Sequence, residues 1–142
     1  APGFRLTKTD LTDTTLDAFR GKRVVMNIFP SLETSVCSAS IRRFNEMAAG
    51  LENTVVLAIS KDLPFSFNRF CSTEGIESLI PLSAFRNSGF GKDYGVEILD
   101  GGFAGLFARS VVVLDEEGKV IYTQLVPEIG QEPDYEAALA VL

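Results

Sequence analysis

The residue with the clearest chemical potential is Cys37, which stands between a strand pattern and a helical pattern. It follows the apolar run 24–29, precedes an amphipathic run, and has the polar neighbours Thr34, Ser35 and Ser38. At the first turn of a helix, unpaired backbone N–H groups and the helix dipole favour an anion. Because the thiolate is the reactive form of cysteine, this placement indicates a functional thiol rather than an inert buried one.

A helix dipole alone does not hold a thiolate at neutral pH. A free thiol with a pKa of about 8.5 is only about 3% ionised there, and lowering a thiol pKa to about 6 requires about 3.4 kcal/mol. One helix N-terminus supplies about 0.3–1 kcal/mol, and up to about 2 kcal/mol when it is partly buried. The sequence should therefore provide a cation close to the sulfur.

Arg109 is the cation in the most unusual setting, at the entrance of the apolar run Ser110–Leu114. A guanidinium beside a buried strand rarely lacks a partner. That partner is either the sulfur of Cys37 or a carboxylate in a structural salt bridge, and composition leaves both open. Arg42 and Arg43 fall on the polar side of the predicted helix, where solvent exposure is expected.

Two further residues each have a chemical and a structural interpretation. The hydroxyl of Thr34 can cap the helix, donate a hydrogen bond to the sulfur or to a substrate oxygen, or do both. Cys71 can form a permanent bridge with Cys37, open and close a disulfide with it, or be an unrelated buried thiol. The local sequence does not decide between these alternatives.

The composition excludes several other classes of site. The 142 residues include no histidine and two cysteines, which rules out histidine-dependent catalysis and a four-thiolate metal site within one chain. A net charge of −6 argues against a nucleic-acid partner. No apolar stretch approaches a membrane span, and no signal-peptide pattern is seen. We expect a cytoplasmic protein without a membrane partner, or a periplasmic one if a signal has been removed.

Strand and helix patterns alternate along the chain, which predicts a single α/β domain over residues 1–142. A helix with Ile41, Phe44, Ala48 and Leu51 on one face should end near Gly50, and Pro81 weakens the third strand. A central mixed β-sheet flanked by helices follows, for which the thioredoxin-like fold is the natural candidate. We predict strands over 24–29, Thr54–Ser60, 78–83, 110–115 and 119–125, and further helices over 64–75 and 133–142.

The spacing Pro30-x-x-x-Thr34-x-x-Cys37 resembles the active-site pattern of the peroxiredoxins. The run from Asn27 to Cys37 is similar to one branch, the bacterial thiol peroxidases, which are atypical two-cysteine peroxiredoxins. The resemblance extends through nearly the whole chain, and the combination of motif and flanking blocks is highly specific. Those blocks are Asp62-Leu-Pro-Phe65, Arg69-Phe-Cys71, Phe85-Arg-Asn87, Tyr94-Gly-Val96, Ala108-Arg109 and the segment 132–142.

The resemblance implies a role for each candidate residue. Cys37 matches the peroxidatic cysteine, which becomes a sulfenic acid, and Cys71 matches the resolving cysteine, which forms an intramolecular disulfide with it. Thr34 and Arg109 match residues that polarise the peroxide and stabilise the thiolate, and Pro30 matches a residue that shields the site. The family implies recycling by thioredoxin, a homodimer, and no metal or organic cofactor. Its members usually carry an N-terminal hairpin before the segment that matches this chain, which we expect to be missing here.

Two other functions remain compatible with the residues alone. The run Cys37-Ser-Ala-Ser40 fits a monothiol transferase, which predicts glutathione-dependent exchange and little peroxide consumption. A redox-sensing module of thioredoxin fold predicts stoichiometric oxidation without rapid turnover. The transferase leaves Thr34, Cys71 and Arg109 without a role. We therefore favour a peroxidase that reduces hydrogen peroxide and organic hydroperoxides.

Overall fold

The structure is a computed structural model that describes residues 1–86, 89–127 and 130–142; Asn87 of the matched blocks lies outside these ranges. The strands are β1 (Arg5–Thr7), β2 (Asp13–Thr15), β3 (Arg23–Ile28), β4 (Thr54–Ser60), β5 (Ile80–Ser83), β6 (Ser110–Leu114) and β7 (Val120–Leu125). The helices are α1 (Ser35–Ala48), α2 (Pro64–Glu74), α3 (Phe90–Asp93) and α4 (Tyr135–Ala140), and a short 3-10 helix covers Leu16–Phe19. Among the described residues, no helix has both the length and the apolar character that crossing a membrane requires.

Within these ranges, the seven strands form one mixed sheet in the order β2-β1-β5-β4-β3-β6-β7. The strands β3, β4 and β5 run parallel, and α1 and α2 make the crossovers between them. The strand β6 pairs antiparallel with β3, and β7 pairs antiparallel with β6. The predicted α/β architecture with a central mixed sheet is confirmed.

The central strand β3 is covered on both sides because its residues alternate between two buried apolar layers. Met26 and Ile28 face a layer that includes Phe90 and Phe107. Val25 and Phe29 face the opposite layer, to which α1, α2 and α4 contribute. We call this second one the α1 layer; its buried members include Val25, Phe29, Leu32, Cys37, Ile41, Phe44, Phe67 and Ala138.

Helix α1 buries the face that its sequence pattern predicts. Ile41 and Phe44 are buried in the α1 layer, and Ala48 packs against it. The helix ends at Ala48 with Ala49 as its C-cap, so Leu51 lies beyond it but still packs against the same layer. The predicted face is therefore correct, and its last residue belongs to the following loop.

The strand β5 forms despite Pro81. Its pairing with β4 covers four residues, but its pairing with β1 is limited to Thr7 and Ser83. Pro81 therefore lies where β5 has a strand neighbour on one side, which a residue without a backbone N–H tolerates.

The sequence analysis missed the antiparallel pair β1 and β2, whose three-residue strands join across a turn with Leu11 at a φ of 71°. It predicted the β6–β7 hairpin correctly. There the carboxylate of Asp115 accepts hydrogen bonds from the backbone N–H groups of Glu117 and Lys119, both at 2.9 Å. Gly118 takes the positive φ of 82° that closes the turn.

Tyr94 ties the N-terminal segment to α3. Its ring stacks on Phe90 with centroids 4.5 Å apart, and its hydroxyl donates to the carbonyl of Pro2 at 2.6 Å. Burial raises the pKa of Tyr94, and the nearby charge of Asp93 raises it further. The unfolded chain thus ionises this hydroxyl at a lower pH than the folded chain. The stability linked to Tyr94 is complete below about pH 10 and is lost as the pH rises further.

We expect Tyr94→Phe to be less stable than the wild type at neutral pH by about 1 kcal/mol, because the variant loses this hydrogen bond. Above about pH 10 the difference should shrink, since ionisation stabilises only the unfolded wild type. Urea unfolding of both proteins over a series of pH values measures this. A difference that stays constant with pH would contradict the linkage.

Candidate active site

Cys37 lies in the first turn of α1, where the chain leaves the end of β3. Its side chain is buried in the α1 layer, with 0% of its surface exposed. Thr34 is the N-cap of the helix and has extended backbone angles, as expected of a capping position. The predicted strand-to-helix junction is therefore present, and the sulfur is near the positive end of the helix dipole.

Arg109 donates a hydrogen bond from Nη1 to the Sγ of Cys37 at 3.1 Å. The sheet explains this meeting of residues 72 positions apart. Because β6 runs antiparallel to β3 and Ser110 pairs with Ile28, the residue before β6 emerges beside the loop that follows β3. The contact with sulfur, one of the two partners considered for Arg109, is therefore present.

The donor to the sulfur is itself buried. Arg109 is only 2% exposed, so its hydrogen bond to Cys37 lies away from water. The first turn of α1 carries the same cysteine. The cation and the helix end that the sequence analysis looked for are therefore both present at Cys37.

Thr34 contributes to the loop in a way that the sequence did not predict. Its hydroxyl donates to the carbonyl of Ser31 at 3.0 Å and makes no capping bond to the helix, so the capping interpretation of the hydroxyl is wrong. Because a hydroxyl has one proton, the expected donation from Thr34 to the sulfur is not present in this structure either. With its proton engaged, the hydroxyl oxygen presents lone pairs as an acceptor. Pro30 is buried in the same loop, between β3 and α1.

Cys71 lies in the last turns of α2, which ends at Glu74 with Gly75 as a left-handed C-cap. Its side chain is half-buried and packs against the α1 layer, which also contains Cys37. Burial raises the pKa of the Cys71 thiol, so it stays protonated at neutral pH. Both cysteines are free thiols in this structure.

Two ion pairs cross between the segments that carry the cysteines. Arg42 of α1 meets Glu74 of α2 at 2.6 Å, and Glu33, just before α1, meets Arg69 of α2 at 3.7 Å. All four side chains are substantially exposed, so each pair contributes about 0–1 kcal/mol. The contacts between the segments are therefore of a kind that can open at modest cost.

A buried polar pair lies beneath the first turn of α1. The amide of Asn27 donates to the hydroxyl oxygen of Ser40 at 3.3 Å, and that hydroxyl donates to the carbonyl of Cys37 at 2.9 Å. A serine that bonds back to a carbonyl one turn earlier weakens a helix slightly. The turn that carries the thiol is thus less firmly held than the apolar middle of α1.

Tyr135 of α4 closes the α1 layer near Arg109. Its ring meets Phe44 edge-on with centroids 5.1 Å apart, and its hydroxyl donates to Glu132 at 2.8 Å. Burial raises the pKa of Tyr135, the bond to Glu132 raises it further, and the charge of Arg109 acts in the opposite direction. Tyr135 therefore remains neutral. Sequence reasoning placed it only within a terminal helix.

Asp62, like Tyr135, is a residue near the site that sequence reasoning did not single out. It follows β4, and its carboxylate accepts hydrogen bonds from the backbone N–H of Leu32 at 2.9 Å and the hydroxyl of Ser31 at 3.1 Å. A polar residue directly after a buried parallel strand is a signal that could have revealed it, since the carboxyl ends of such strands meet at one edge.

Comparison with known proteins shows the family of this chain. A family model described as Redoxin matches residues 1–139. A thiol peroxidase of Corynebacterium glutamicum is 58% identical over 139 residues, which are 98% of this chain and 84% of that protein. This chain belongs to the thiol peroxidases. A thiol peroxidase of Mycobacterium tuberculosis is also 58% identical, over 100% of this chain and 85% of its own length. The enzyme class is accordingly that of a peroxidase, an oxidoreductase.

Solved structures agree on the fold. A peroxiredoxin-like protein from Aquifex aeolicus superposes with a TM-score of 0.94 at 38% identity, covering 99% of this chain and 82% of that one. A thiol peroxidase from Chromobacterium violaceum gives a TM-score of 0.91 at 20% identity over the same shares, which supports the fold alone. The predicted thioredoxin-like fold of the peroxiredoxins is confirmed.

Proposed function

We propose that this chain reduces hydrogen peroxide and organic hydroperoxides to water and alcohols through a sulfenic acid at Cys37. The observation that carries the proposal is the hydrogen bond from the buried guanidinium of Arg109 to the sulfur of Cys37. In the first step the thiolate attacks one peroxide oxygen, so that an S–O bond forms and the O–O bond breaks. The other oxygen leaves with the bonding electrons and takes up a proton.

In this proposal Arg109 acts both on the attacking sulfur and on the departing oxygen. It stabilises the thiolate before the attack, and its N–H groups can donate to the departing oxygen as negative charge develops there. Thr34 offers its hydroxyl oxygen as an acceptor for the peroxide O–H, which helps to align the substrate. Pro30, buried in the same loop, shields the sulfur from bulk water. No histidine is needed for any of these tasks.

Cys71 is the resolving cysteine in this proposal. Its thiol attacks the sulfenic sulfur, an S–S bond forms, and water leaves with the sulfenic oxygen. Because the two thiols belong to different helices, the first turn of α1 and the last turns of α2 unwind to let them meet. The exposed ion pairs and the bond from Ser40 to the Cys37 carbonyl keep the cost of unwinding low.

Reduced thioredoxin completes the cycle by exchanging its dithiol for the Cys37–Cys71 disulfide.

We also propose a homodimer. Its support is a group of exposed apolar side chains, those of Leu63, Phe65 and Phe85. They come shortly after Asp62 and Ser83, which a hydrogen bond joins. A cytoplasmic location is part of the proposal, because that compartment keeps thiols and thioredoxin reduced. Light scattering and cell fractionation test these two points.

One equivalent of cumene hydroperoxide, added to the fully reduced protein, tests the reaction itself. We expect the intact mass to fall by two hydrogens within seconds, as the Cys37–Cys71 disulfide forms. In Cys71→Ser the mass should instead rise by one oxygen. Reduced thioredoxin should restore the starting mass faster than glutathione does. A wild-type protein that stays reduced would rule out the peroxidase cycle and favour monothiol exchange.

A further inference from the structure

Asp62 occupies the edge of the sheet from which the active-site loop departs. The parallel strands β3, β4 and β5 all end at this edge, and Asp62 lies in the short segment between β4 and α2. The loop that follows β3 leads to Cys37 and passes beside Asp62. Asp62 therefore stands between the segment that carries one cysteine and the start of the helix that carries the other.

The carboxylate of Asp62 joins two loops. One oxygen accepts from the backbone N–H of Leu32 at 2.9 Å and from the hydroxyl of Ser60, and the other accepts from the hydroxyl of Ser31 at 3.1 Å. The backbone of Asp62 is held as well, because its carbonyl accepts from the hydroxyl of Ser83 at the end of β5. A carboxylate with charge-assisted bonds on both oxygens is a firm anchor for the loop.

Ser31 passes this restraint on to Thr34. Its carbonyl accepts both the backbone N–H of Thr34, at 3.2 Å, and the Thr34 hydroxyl, at 3.0 Å. Its own hydroxyl accepts from the backbone N–H of Glu33 at 3.1 Å while it donates to Asp62. The direction in which the Thr34 hydroxyl points thus depends on a serine that Asp62 holds in place.

We propose that Asp62 is a positioning residue for the reaction of Cys37 with peroxide, acting through Ser31 on Thr34. This inference rests on the proposed function. The hydrogen bonds of Asp62 given above reach the loop and the ends of β4 and β5, whereas the charge on the sulfur is supported by Arg109. Loss of Asp62 should therefore disturb substrate alignment and leave thiolate formation in place.

Two reactions of Cys37 separate alignment from thiolate formation. Oxidation by hydrogen peroxide needs the peroxide to be aligned, whereas alkylation by iodoacetamide needs the thiolate and access to it. In Asp62→Ala we expect the oxidation rate constant to fall about 100-fold, the loss typical of a misplacement of about 1 Å. The alkylation rate constant should stay the same or rise. In Asp62→Asn, which keeps one oxygen acceptor, the oxidation rate should fall less.

Asp115→Ala is a matched control. The carboxylate of Asp115 likewise holds a turn, by accepting two backbone N–H bonds. Asp115 follows Leu114, which pairs with Val24 at the opposite end of β3. Its loss should leave the ratio of oxidation to alkylation rates unchanged. Circular dichroism verifies that each variant is folded, and if Asp62→Ala fails to fold, the ratio in Asp62→Asn decides.

Two results would overturn the positioning role. One is an oxidation rate in the Asp62 variants equal to that of the wild type. The other is an equal proportional fall of both rates, which a purely structural effect would produce. A wild type that peroxide does not oxidise would instead contradict the proposed function, so the two failures are distinguishable.

Discussion

Replacing Arg109 by glutamine should slow the oxidation of Cys37 by peroxide about 100- to 1000-fold, the loss expected when one donor to developing charge is removed. In the wild type the guanidinium donates to the buried sulfur at 3.1 Å. Glutamine is neutral and shorter, so it provides neither the charge that favours the thiolate nor a donor that reaches the leaving oxygen. Unlike Asp62→Ala, this variant should also lose alkylation by iodoacetamide, because the thiolate itself becomes scarce.

Rapid-mixing measurements of oxidation and alkylation at neutral pH check this prediction, together with the ultraviolet absorbance of the thiolate. Arg109→Lys keeps a positive charge but not the planar fork, so its losses should be smaller than those of the glutamine variant. Arg20→Gln is the surface control, since Arg20 pairs with Asp17 in an exposed ion pair. If Arg109→Gln retained the wild-type rates of both reactions, Arg109 would have a structural role only.

Cys37→Ser should abolish peroxide consumption, leaving no reaction above the buffer background. A serine hydroxyl is almost fully protonated at neutral pH, and Arg109 cannot make it a comparable nucleophile. The substitution exchanges one buried atom and preserves an acceptor for the guanidinium, so the fold should be kept. The loss would therefore be one of chemistry, and the melting temperature of the variant should remain close to that of the wild type.

Peroxide consumption in the absence of reductant distinguishes Cys37→Ser from Cys71→Ser. Cys71→Ser should consume one peroxide per chain in a burst and then stop, because its sulfenic acid has no intramolecular thiol to react with. Cys37→Ser should give no burst. A burst in Cys37→Ser that disappears in Cys71→Ser would assign the roles of the two cysteines the other way round.

Much of the fold can be predicted from residue types because the apolar patterns are strong and local. The run 24–29 is almost wholly apolar, as a strand buried on both sides requires, and β3 begins and ends within one residue of it. The strands β1 and β2 escape prediction because three residues carry little pattern. What holds β1 is its pairing with β2 and the contact of Thr7 with Ser83, far away in sequence.

The sequence predicts which kinds of group the site needs, but not which atoms contact one another. The energy needed to ionise a thiol calls for a cation, and Arg109 was the candidate, but the sequence could not choose between sulfur and a carboxylate as its partner. The sheet register brings Arg109 to the sulfur. Thr34 was placed correctly at the N-cap, yet its hydroxyl bonds to Ser31. The position of Asp62 after a buried strand is a local signal, but its loop partners are about thirty residues away and could not be identified from the sequence.

The thiol and its cation are attached to the fold in different ways. Arg109 directly precedes β6, which the ladders with β3 and β7 clamp on both sides, whereas Cys37 lies in the end turn of a helix, where fraying is easiest. The cation is therefore fixed in the sheet, and the thiol is on the part of the site that can move most easily. In the proposed cycle, the sulfur returns to a guanidinium that stays in place each time the end of α1 unwinds and winds again. The sheet would then be the template against which the site is rebuilt after every turnover.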